Sequence, residues 1–325
     1  MTDPVAHHST LLPFRELAAR FPIKKGGCPI FPARSCHRVL QDPPTLKPQE
    51  PWELLEVETL ELRTEVRGGC ARCDVADLEA ALAAVSEFRE TSATNDAVLA
   101  VVVLAATSNV TGCSLDVCAI NELVHAHQGI ACWDVAAMAH HKRLDFSPVD
   151  RPNAASDFAF VSPHKLLGGP GSAGLLLAKK RLLTNSVPVV PGGGTVFFVS
   201  RDAHSYIQNT VEREEAGTPN ITACIRAGMV YHVHSWLAQK ELEAVEQRAA
   251  AHLLANMRSH PKIHLLLPQA GGAGGEAAEG CGQLHVSSII SFQVLYGNES
   301  SQGRGLYLHH NFVAAVSCVS APPSI

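Results

Sequence analysis

Lys165 follows a predicted buried strand, Phe158 to Val161, and precedes a glycine-rich loop, Gly168 to Gly174, that holds four glycines in seven residues. An ammonium in this place can cap the strand and face solvent, or it can bind a phosphate. Once desolvated near other cations, it can instead lose its proton and attack an aldehyde as a neutral amine. The loop sequence "GGPGSAG" lacks the Gly-Lys-Ser/Thr order of a Walker loop, so a phosphate site of that type has less support.

Other polar residues supply the groups that an aldehyde cofactor such as pyridoxal phosphate needs beside that lysine. Asp134 ends an apolar strand, where an unpaired carboxylate is costly and a protonated pyridine nitrogen is a good partner. Such a pair keeps the pyridine ring an electron sink. Asn109 can hydrogen-bond the ring oxygen. Further candidates are Ser162 and His164 for the phosphate, and His7 or His8 for stacking on the ring.

The elements that must position these residues are three apolar strands, separated by a helix and by turn loops. This alternation predicts an α/β fold with a mainly parallel sheet covered by helices on both faces. Ligands of such sheets bind outside the carboxyl ends of the strands. Asn109, Asp134 and Lys165 each follow the end of a predicted strand, so we expect them at one rim of the sheet. The strands are predicted at 97–106, 130–133 and 158–161.

Further elements flank this predicted sheet. The sequence from Val57 to Leu62 alternates as a strand does, and Asp74 is placed to cap a helix with the apolar stripe "LEAALAAV". Gly129 is expected to close the helix of residues 115–128 in the usual position past a helix end. A helix from about Gln239 to Ser259, followed by strands and a short helix, predicts a smaller α+β domain in the last third of the chain.

Five segments of this sequence resemble the class V aminotransferase family of pyridoxal-phosphate enzymes in their order and near its spacing. They are "SNVTG", the aspartate at Asp134, "SPHKLLGGPGSAG", "GGGTV" and "REEAGTPN". The resemblance is greatest to the cysteine-desulfurase-like branch, and "HHSTLLPFREL" is similar to a further segment of it. It implies the fold type I transferase architecture and places the domains at 1–21 (remnant of the large domain), 22–56 (atypical Pro/Cys-rich insertion or loop), 57–238 (cofactor-binding domain) and 239–325 (incomplete small domain).

The resemblance also implies roles for individual residues. Lys165 would form the Schiff base with pyridoxal 5'-phosphate, and an amino acid would be the small-molecule substrate. The resemblance leaves transamination and desulfurase or lyase chemistry equally open. Thr195 would reach the phosphate of a neighbouring subunit, which implies a homodimer with shared active sites. The remaining roles are pyridinium partner for Asp134, ring-oxygen donor for Asn109, ring stacking for His7, and phosphate contacts for Ser162 and His164.

Two other interpretations stay open. The family's phosphate-cradling loop upstream of the stacking histidine, and its cysteine and arginine loops near the C-terminus, have no counterpart in this sequence. The chain can therefore be a truncated, catalytically inactive relative or a splice form. Residues 22–73 could instead form a zinc-bound interaction module through Cys28, Cys36, Cys70 and Cys73. Seven residues separate the first two cysteines, which is unusual for zinc, so we predict no metal site.

Composition excludes several classes of partner. A formal charge of -5 leaves no basic footprint, so we expect no nucleic-acid partner. The longest purely apolar run, Ala97 to Ala106, is much shorter than the ~20 residues that span a bilayer, so we expect no membrane partner. The N-terminus has neither the basic nor the apolar region of a signal peptide. Together with this feature, the ten cysteines predict reduced thiols and a cytoplasmic location.

Overall fold

The computed structural model describes residues 64–67, 70–73, 75–91, 98–139, 145–237, 239–266, 288–297 and 306–320. The predictions for residues 1–56, for the strand Val57 to Leu62 and for the Asp74 cap lie outside these ranges. Two compact units divide the chain. One contains the described residues up to Ala84, together with Thr107–Asp116 and those from Lys240 onward, and the other contains Val85–Ala106 and Val117–Gln239.

The first described elements are an antiparallel hairpin and a helix. Strand β1, Thr64–Arg67, pairs with β2, Cys70–Cys73. Helix α1 runs over Val75–Thr91. Its buried apolar residues recur at helical spacing, which gives it one apolar face: Leu78, Ala81, Leu82 and Val85.

A four-stranded sheet forms the centre of the second unit. Strands β3 (Val101–Ala105), β4 (Ile130–Asp134) and β5 (Phe158–Val161) are parallel, and β6 (Leu175–Ala178) joins β5 antiparallel. Consecutive residues of β3 and β4 are buried, because both faces of a parallel sheet are covered and neither can face water. The predicted mainly parallel sheet is therefore confirmed: β3 is shorter than its apolar run, β4 extends one residue further to Asp134, and β5 has the predicted bounds. Helix α2, Val117–Ala126, contacts β4.

Helix α2 ends differently from the sequence prediction. The left-handed residue is Gln128, with φ +54°, and not the glycine that follows it. A Cβ on Gly129 would lie 2.9 Å from Cγ1 of Val124 and 3.1 Å from its carbonyl oxygen. The amide of Gly129 donates to that same oxygen at 2.9 Å. Gly129 is therefore required for close approach to the last helical turn, and the expected left-handed role belongs to its neighbour.

One carboxylate joins the elements at the amino edge of the sheet. Asp157 is 1% exposed and directly precedes β5. Its Oδ2 accepts from the amide of Ala131 at 3.0 Å and from Nε2 of His125 at 2.8 Å. Its Oδ1 accepts from Nη2 of Arg181 at 3.0 Å and lies 3.2 Å from Nζ of Lys179. Groups from α2, β4 and the segment after β6 thus converge on this carboxylate.

A second buried polar network supports the sheet from α2. Nε1 of Trp133 donates to Oδ1 of Asn121 at 2.7 Å. Nδ2 of Asn121 donates to the carbonyl oxygen of Ala154 at 2.7 Å and to Oγ of Ser156 at 3.1 Å. Trp133 and Asn121 are both nearly inaccessible to solvent. Each polar group of this pair has a partner, as buried polar groups require.

The rest of the second unit and the C-terminal third complete the fold. Beyond β6 come a hairpin, a short helix that the sequence did not predict, and two long helices, the second with the predicted bounds. A three-stranded antiparallel sheet and a last helix follow, so the C-terminal third has the predicted α+β character. Of the described helices, none is long and apolar enough to cross a membrane. The elements are β7 (Val196–Val199), β8 (His204–Tyr206), α3 (Thr210–Glu214), α4 (Ile221–Trp236), α5 (Gln239–Ser259), β9 (Ile263–Leu265), β10 (Phe292–Tyr296), β11 (Leu306–Tyr307) and α6 (His310–Ser320).

Candidate functional site

The strand register puts Asp134 in the middle of the carboxyl edge of the sheet. Its neighbour across β3 is Ala105, and its neighbour across β5 is Phe160. The carbonyl oxygen of Asp134 accepts from the amide of Ala106 at 2.9 Å, and the amide of Val135 donates to Phe160 at 3.1 Å. The ladder thus continues to the last residue of β4. The segments that leave β3 and β5 therefore start on either side of Asp134.

The side chain of Asp134 is oriented by its own turn. Oδ1 accepts from the amide of Ala136 at 2.9 Å, and the side chain is half-buried. The residues that follow it, Val135, Ala137 and Met138, are buried and apolar. A carboxylate in such surroundings is stabilised by partners that donate to it or carry positive charge. This fits the predicted role of Asp134 opposite a cationic ring nitrogen.

Lys165 lies on a single 3₁₀ turn, Pro163–Lys165, directly after β5. Pro163 has a fixed φ and no amide donor, so it cannot continue the strand, which ends at Val161. The amide of Lys165 donates to the carbonyl oxygen of Ser162 at 3.1 Å. The side chains of His164 and Lys165 are exposed, and that of Ser162 is half-buried. At ~3.3 Å per residue and ~4.8 Å between strands, the Cα of Ser162 lies about 8 Å from that of Asp134.

The glycine-rich loop folds back onto that turn. A Cβ on Gly169 would lie 2.0 Å from the carbonyl oxygen of Pro163 and 2.9 Å from that of Leu166, so no larger residue fits there. Gly168 and Gly171 adopt φ values of +77° and +82°, which glycine adopts without strain. The hydroxyl of Ser172 is buried and has no hydrogen-bond partner in the described part of the chain. The glycine-rich loop thus packs on the turn that carries Lys165 and holds one buried hydroxyl that could donate to a ligand.

Thr195 holds a second glycine turn together. It is fully buried, and its hydroxyl donates to the carbonyl oxygen of Gly192 at 2.6 Å and accepts from the Gly192 amide at 3.2 Å. The amide of Gly217 donates to the carbonyl oxygen of Gly193 at 2.7 Å. The segments "GGGTV" and "EAGTP" are therefore packed against each other within the second unit.

Apart from Thr195, the predicted site residues fall into three groups. Asp134, Ser162, His164 and Lys165 come together at the carboxyl edge of the sheet in the second unit. Asn109 is exposed, in the segment Thr107–Asp116, which belongs to the first unit. His7 lies outside the described residues. The individual roles assigned to all of these residues, and to Thr195, stay predictions.

Arg213 is a buried cation that the sequence analysis did not single out. It is 8% exposed, and its Nη1 donates to the carbonyl oxygens of Ile207 and Gln208 at 3.0 and 3.1 Å. Its Nε has no hydrogen-bond partner among the described residues. The only sequence signal was its place in "REEAGTPN", where it reads as one charge in a polar loop. Its contacts join the chain before α3 to the helix itself.

The cysteines differ in reactivity and in oxidation state. Burial raises the pKa of the Cys132 thiol to about 12, so this group stays protonated and is a poor nucleophile at neutral pH. Cys224 is exposed and Cys118 half-buried, and both are free thiols. Cys113 is disulfide-bonded, so the expectation that the cysteines are reduced does not hold at this residue.

The zinc hypothesis concerns residues that the structure describes only in part. Cys28 and Cys36 lie outside the described ranges. Cys70 and Cys73 are the first and last residues of β2, and helix α1 begins two residues later, at Val75. Across the described ranges, no cluster of three or more His, Cys, Asp or Glu side chains could hold a metal ion.

Comparison with known proteins gives a consistent result. The family model "Aminotransferase class-V" matches residues 75–277. A cysteine desulfurase from Klebsiella pneumoniae is 32% identical over 191 residues, which are 58% of this chain and 45% of that protein. A probable cysteine desulfurase from Pasteurella multocida is 33% identical over 164 residues, 49% of this chain and 37% of that protein. The chain therefore spans less than half the length of these relatives.

A solved structure shows the same fold. The apo structure of a cysteine desulfurase from Thermococcus onnurineus NA1 superposes with a TM-score of 0.63 at 19% sequence identity. The superposition covers 98% of this chain and 59% of that one. The α/β architecture expected from the sequence resemblance is thereby confirmed.

Proposed function

Because the chain belongs to the class-V aminotransferase family, we propose that it binds pyridoxal 5'-phosphate and transforms an amino acid through Lys165. One observation carries this proposal. A carboxylate ends β4, and an amine stands on the turn after β5, at the same edge of one sheet. Neighbouring parallel strands end at this edge, so both residues lie there although 30 residues separate them in the chain.

The groups at this edge fit the cofactor chemically. The carboxylate of Asp134 is oriented by the Ala136 amide, as a partner for a protonated ring nitrogen must be. Ser162 and His164 can donate to phosphate oxygens, and the buried hydroxyl of Ser172 lacks a partner among the described residues. Pyridoxal phosphate, when bound, would supply an electron sink for the carbanion formed at the Cα of an amino acid.

The residues of this chain would divide the remaining work. The carboxylate of Asp134 would hold a proton on the pyridine nitrogen, because a negative charge within hydrogen-bonding distance favours the protonated form. The amine of Lys165 would hold the cofactor covalently. After an amino acid has displaced it, the same amine would accept and return the proton at Cα as a general base and acid. Its exposed position on the turn leaves it accessible to a ligand.

The curated relatives direct the choice of first substrate. Both are named as cysteine desulfurases, one of them as a probable one, so L-cysteine is the first amino acid to test. Transamination shares the early proton transfers with desulfuration and remains the alternative chemistry. Asn109 and His7 keep the roles that the family resemblance implies, as predictions. The cytoplasmic location likewise stays a prediction from the sequence.

A homodimer with shared sites is part of the proposal. Thr195 would contact the phosphate bound to the partner subunit. In the single chain its hydroxyl donates to Gly192, so the phosphate contact would replace that bond. Sedimentation of the protein with saturating cofactor tests this assembly: a dimer is expected, and a monomer at all concentrations would contradict it.

Covalent labelling tests the proposed function. We expect a visible absorbance band on addition of pyridoxal phosphate, and borohydride reduction followed by peptide mapping should place the label on Lys165. Lys165→Ala should abolish the band. Lys180→Ala, which removes an exposed lysine of the same unit, is the matched control and should leave it intact. Label spread over several lysines, or a band that survives Lys165→Ala, would overturn the proposal. Specific labelling without turnover of any amino acid would indicate the inactive relative.

A further inference from the structure

Helix α4 holds the glycine-rich loop at two points. Nη1 of Arg226 donates to the carbonyl oxygen of Pro170 at 2.6 Å. The amide of Ala173 donates to the carbonyl oxygen of Ala223 at 3.1 Å. The two loop residues, Pro170 and Ala173, are three positions apart. Their partners on the helix, Arg226 and Ala223, are also three positions apart, near the start of α4. Of the two hydrogen bonds, only the bond from Arg226 depends on a side chain.

The held segment adjoins the turn that carries Lys165. Gly169, next to Pro170, packs so closely on the turn that a Cβ would lie 2.0 Å from the carbonyl oxygen of Pro163. The amide of Gly169 donates to Leu166 at 2.9 Å, and that of Leu166 donates to Pro163 at 3.0 Å. Helix α4 also contacts the turn Pro163–Lys165 directly. A displacement of Pro170 must therefore move the turn.

The loop is shaped to receive the guanidinium. Gly171 has φ +82°, and a Cβ on it would lie 3.1 Å from Nη1 of Arg226, closer than a side chain normally approaches. The hydrogen bond to Pro170 is charge-assisted and short, so it is stronger than a neutral bond. The side chain of Arg226 is exposed, so it contributes to the structure through this hydrogen bond and not through burial.

We propose that Arg226 is a positioning residue: by holding the carbonyl of Pro170, it fixes the glycine-rich loop and, through Gly169, the turn that presents Lys165. This inference rests on the proposed function, because the consequence of the positioning is the orientation of the cofactor on Lys165. Arg226 touches neither the reacting atoms nor the lysine, so it acts only through the loop.

Hydrogen exchange of the cofactor-free protein tests the mechanical part. Arg226→Gln removes the charged donor, and the amides of Ser172 and Ala173 should exchange about tenfold faster or more. Arg226→Lys keeps a charged donor and should restore slow exchange in part. The Ala106 amide, which is bonded to Asp134 in the sheet, serves as an internal reference and should not change. Arg151→Gln removes an arginine paired with Glu122 and should leave the loop as it is.

Visible circular dichroism tests the positioning. With saturating pyridoxal phosphate, the signal per cofactor bound to Lys165 should fall at least twofold in Arg226→Gln and recover in part in Arg226→Lys. A purely stabilising role would leave this signal unchanged below the unfolding temperature. Arg226→Met, which keeps the aliphatic stem without any donor, repeats the comparison if the glutamine variant unfolds.

Unchanged exchange and an unchanged signal in a folded variant would overturn the inference. If the wild-type protein fails to bind the cofactor, the proposed function is wrong. The exchange experiment would still decide whether Arg226 holds the loop.

Discussion

At the scale of single residues, the structural and the chemical contributions of Asp134 can be separated by one substitution. Its Oδ1 accepts the amide of Ala136, a bond that an amide oxygen can also accept. Asparagine at this position keeps that acceptor and removes the negative charge. Substituting asparagine therefore separates the charge from the fold.

Asp134→Asn should leave the fold and the labelling of Lys165 intact but lower amino-acid turnover by about 100-fold or more. An uncharged partner no longer keeps the ring nitrogen protonated, so the carbanion at Cα loses much of its stabilisation. The measurement is the rate of deuterium incorporation at Cα of the substrate in deuterated water, with far-UV circular dichroism as the control for folding. A variant with wild-type exchange would show that Asp134 does not face the cofactor.

Residues of this kind are predictable from sequence to different extents. Asp134 and Lys165 were found because a polar residue that follows an apolar strand is exceptional, and parallel strands end at a common edge. The contribution of Arg226 was not predictable, since its partner Pro170 lies 56 residues away and only the tertiary fold joins them. The left-handed Gln128 was missed because glycine next to it satisfied the usual pattern.

At the scale of elements, the amino edge of the sheet depends on one buried carboxylate. Burial by itself would raise the pKa of Asp157, but the amide of Ala131 and the side chains of His125 and Lys179 outweigh it and lower the pKa. A lowered pKa means that the folded protein favours the charged form. The stabilisation is therefore present above the pKa of an unfolded aspartate and is lost as pH falls through the folded value.

Asp157→Asn should lower the free energy of unfolding by about 3 kcal/mol at pH 7, because it removes the buried negative charge that Lys179 and Arg181 contact and that His125 hydrogen-bonds. The difference between variant and wild type should shrink as pH falls below the pKa of an unfolded aspartate, about 4, and through the lower pKa of the folded carboxylate. Urea unfolding at several pH values measures it. A difference independent of pH would mean that packing, and not charge, is what Asp157 contributes.

The glycine-rich loop is the second element open to a direct test. Gly169→Ala would put a Cβ 2.0 Å from the carbonyl oxygen of Pro163, so the loop and the Lys165 turn must separate. We expect a loss of about 2 kcal/mol in the free energy of unfolding and loss of specific labelling at Lys165. Gly228→Ala is the matched control, because a Cβ there meets no atom within 4 Å and alanine favours the helix. Equal behaviour of the two variants would contradict this description of the loop.

At the scale of the whole molecule, the chain combines two compact units, of which the second holds Asp134, Lys165 and the residues that position them. Sequence predicted the α/β class, the parallel strands and α5 because long apolar and helical patterns are local properties. It did not predict α3, a helix of five residues that is supported by the Asn209 cap and by the hydrogen bonds of Arg213 to the preceding backbone. The family match runs from residue 75 to 277 and therefore covers the whole of the second unit, which begins at Val85 and ends at Gln239.

A crystal structure of the protein after addition of pyridoxal phosphate and borohydride reduction tests the central claim most directly. We predict a covalent bond between the cofactor and Nζ of Lys165, with a carboxylate oxygen of Asp134 about 2.8 Å from the pyridine nitrogen. A cofactor bound to another lysine, or a ring nitrogen turned away from Asp134, would contradict the account.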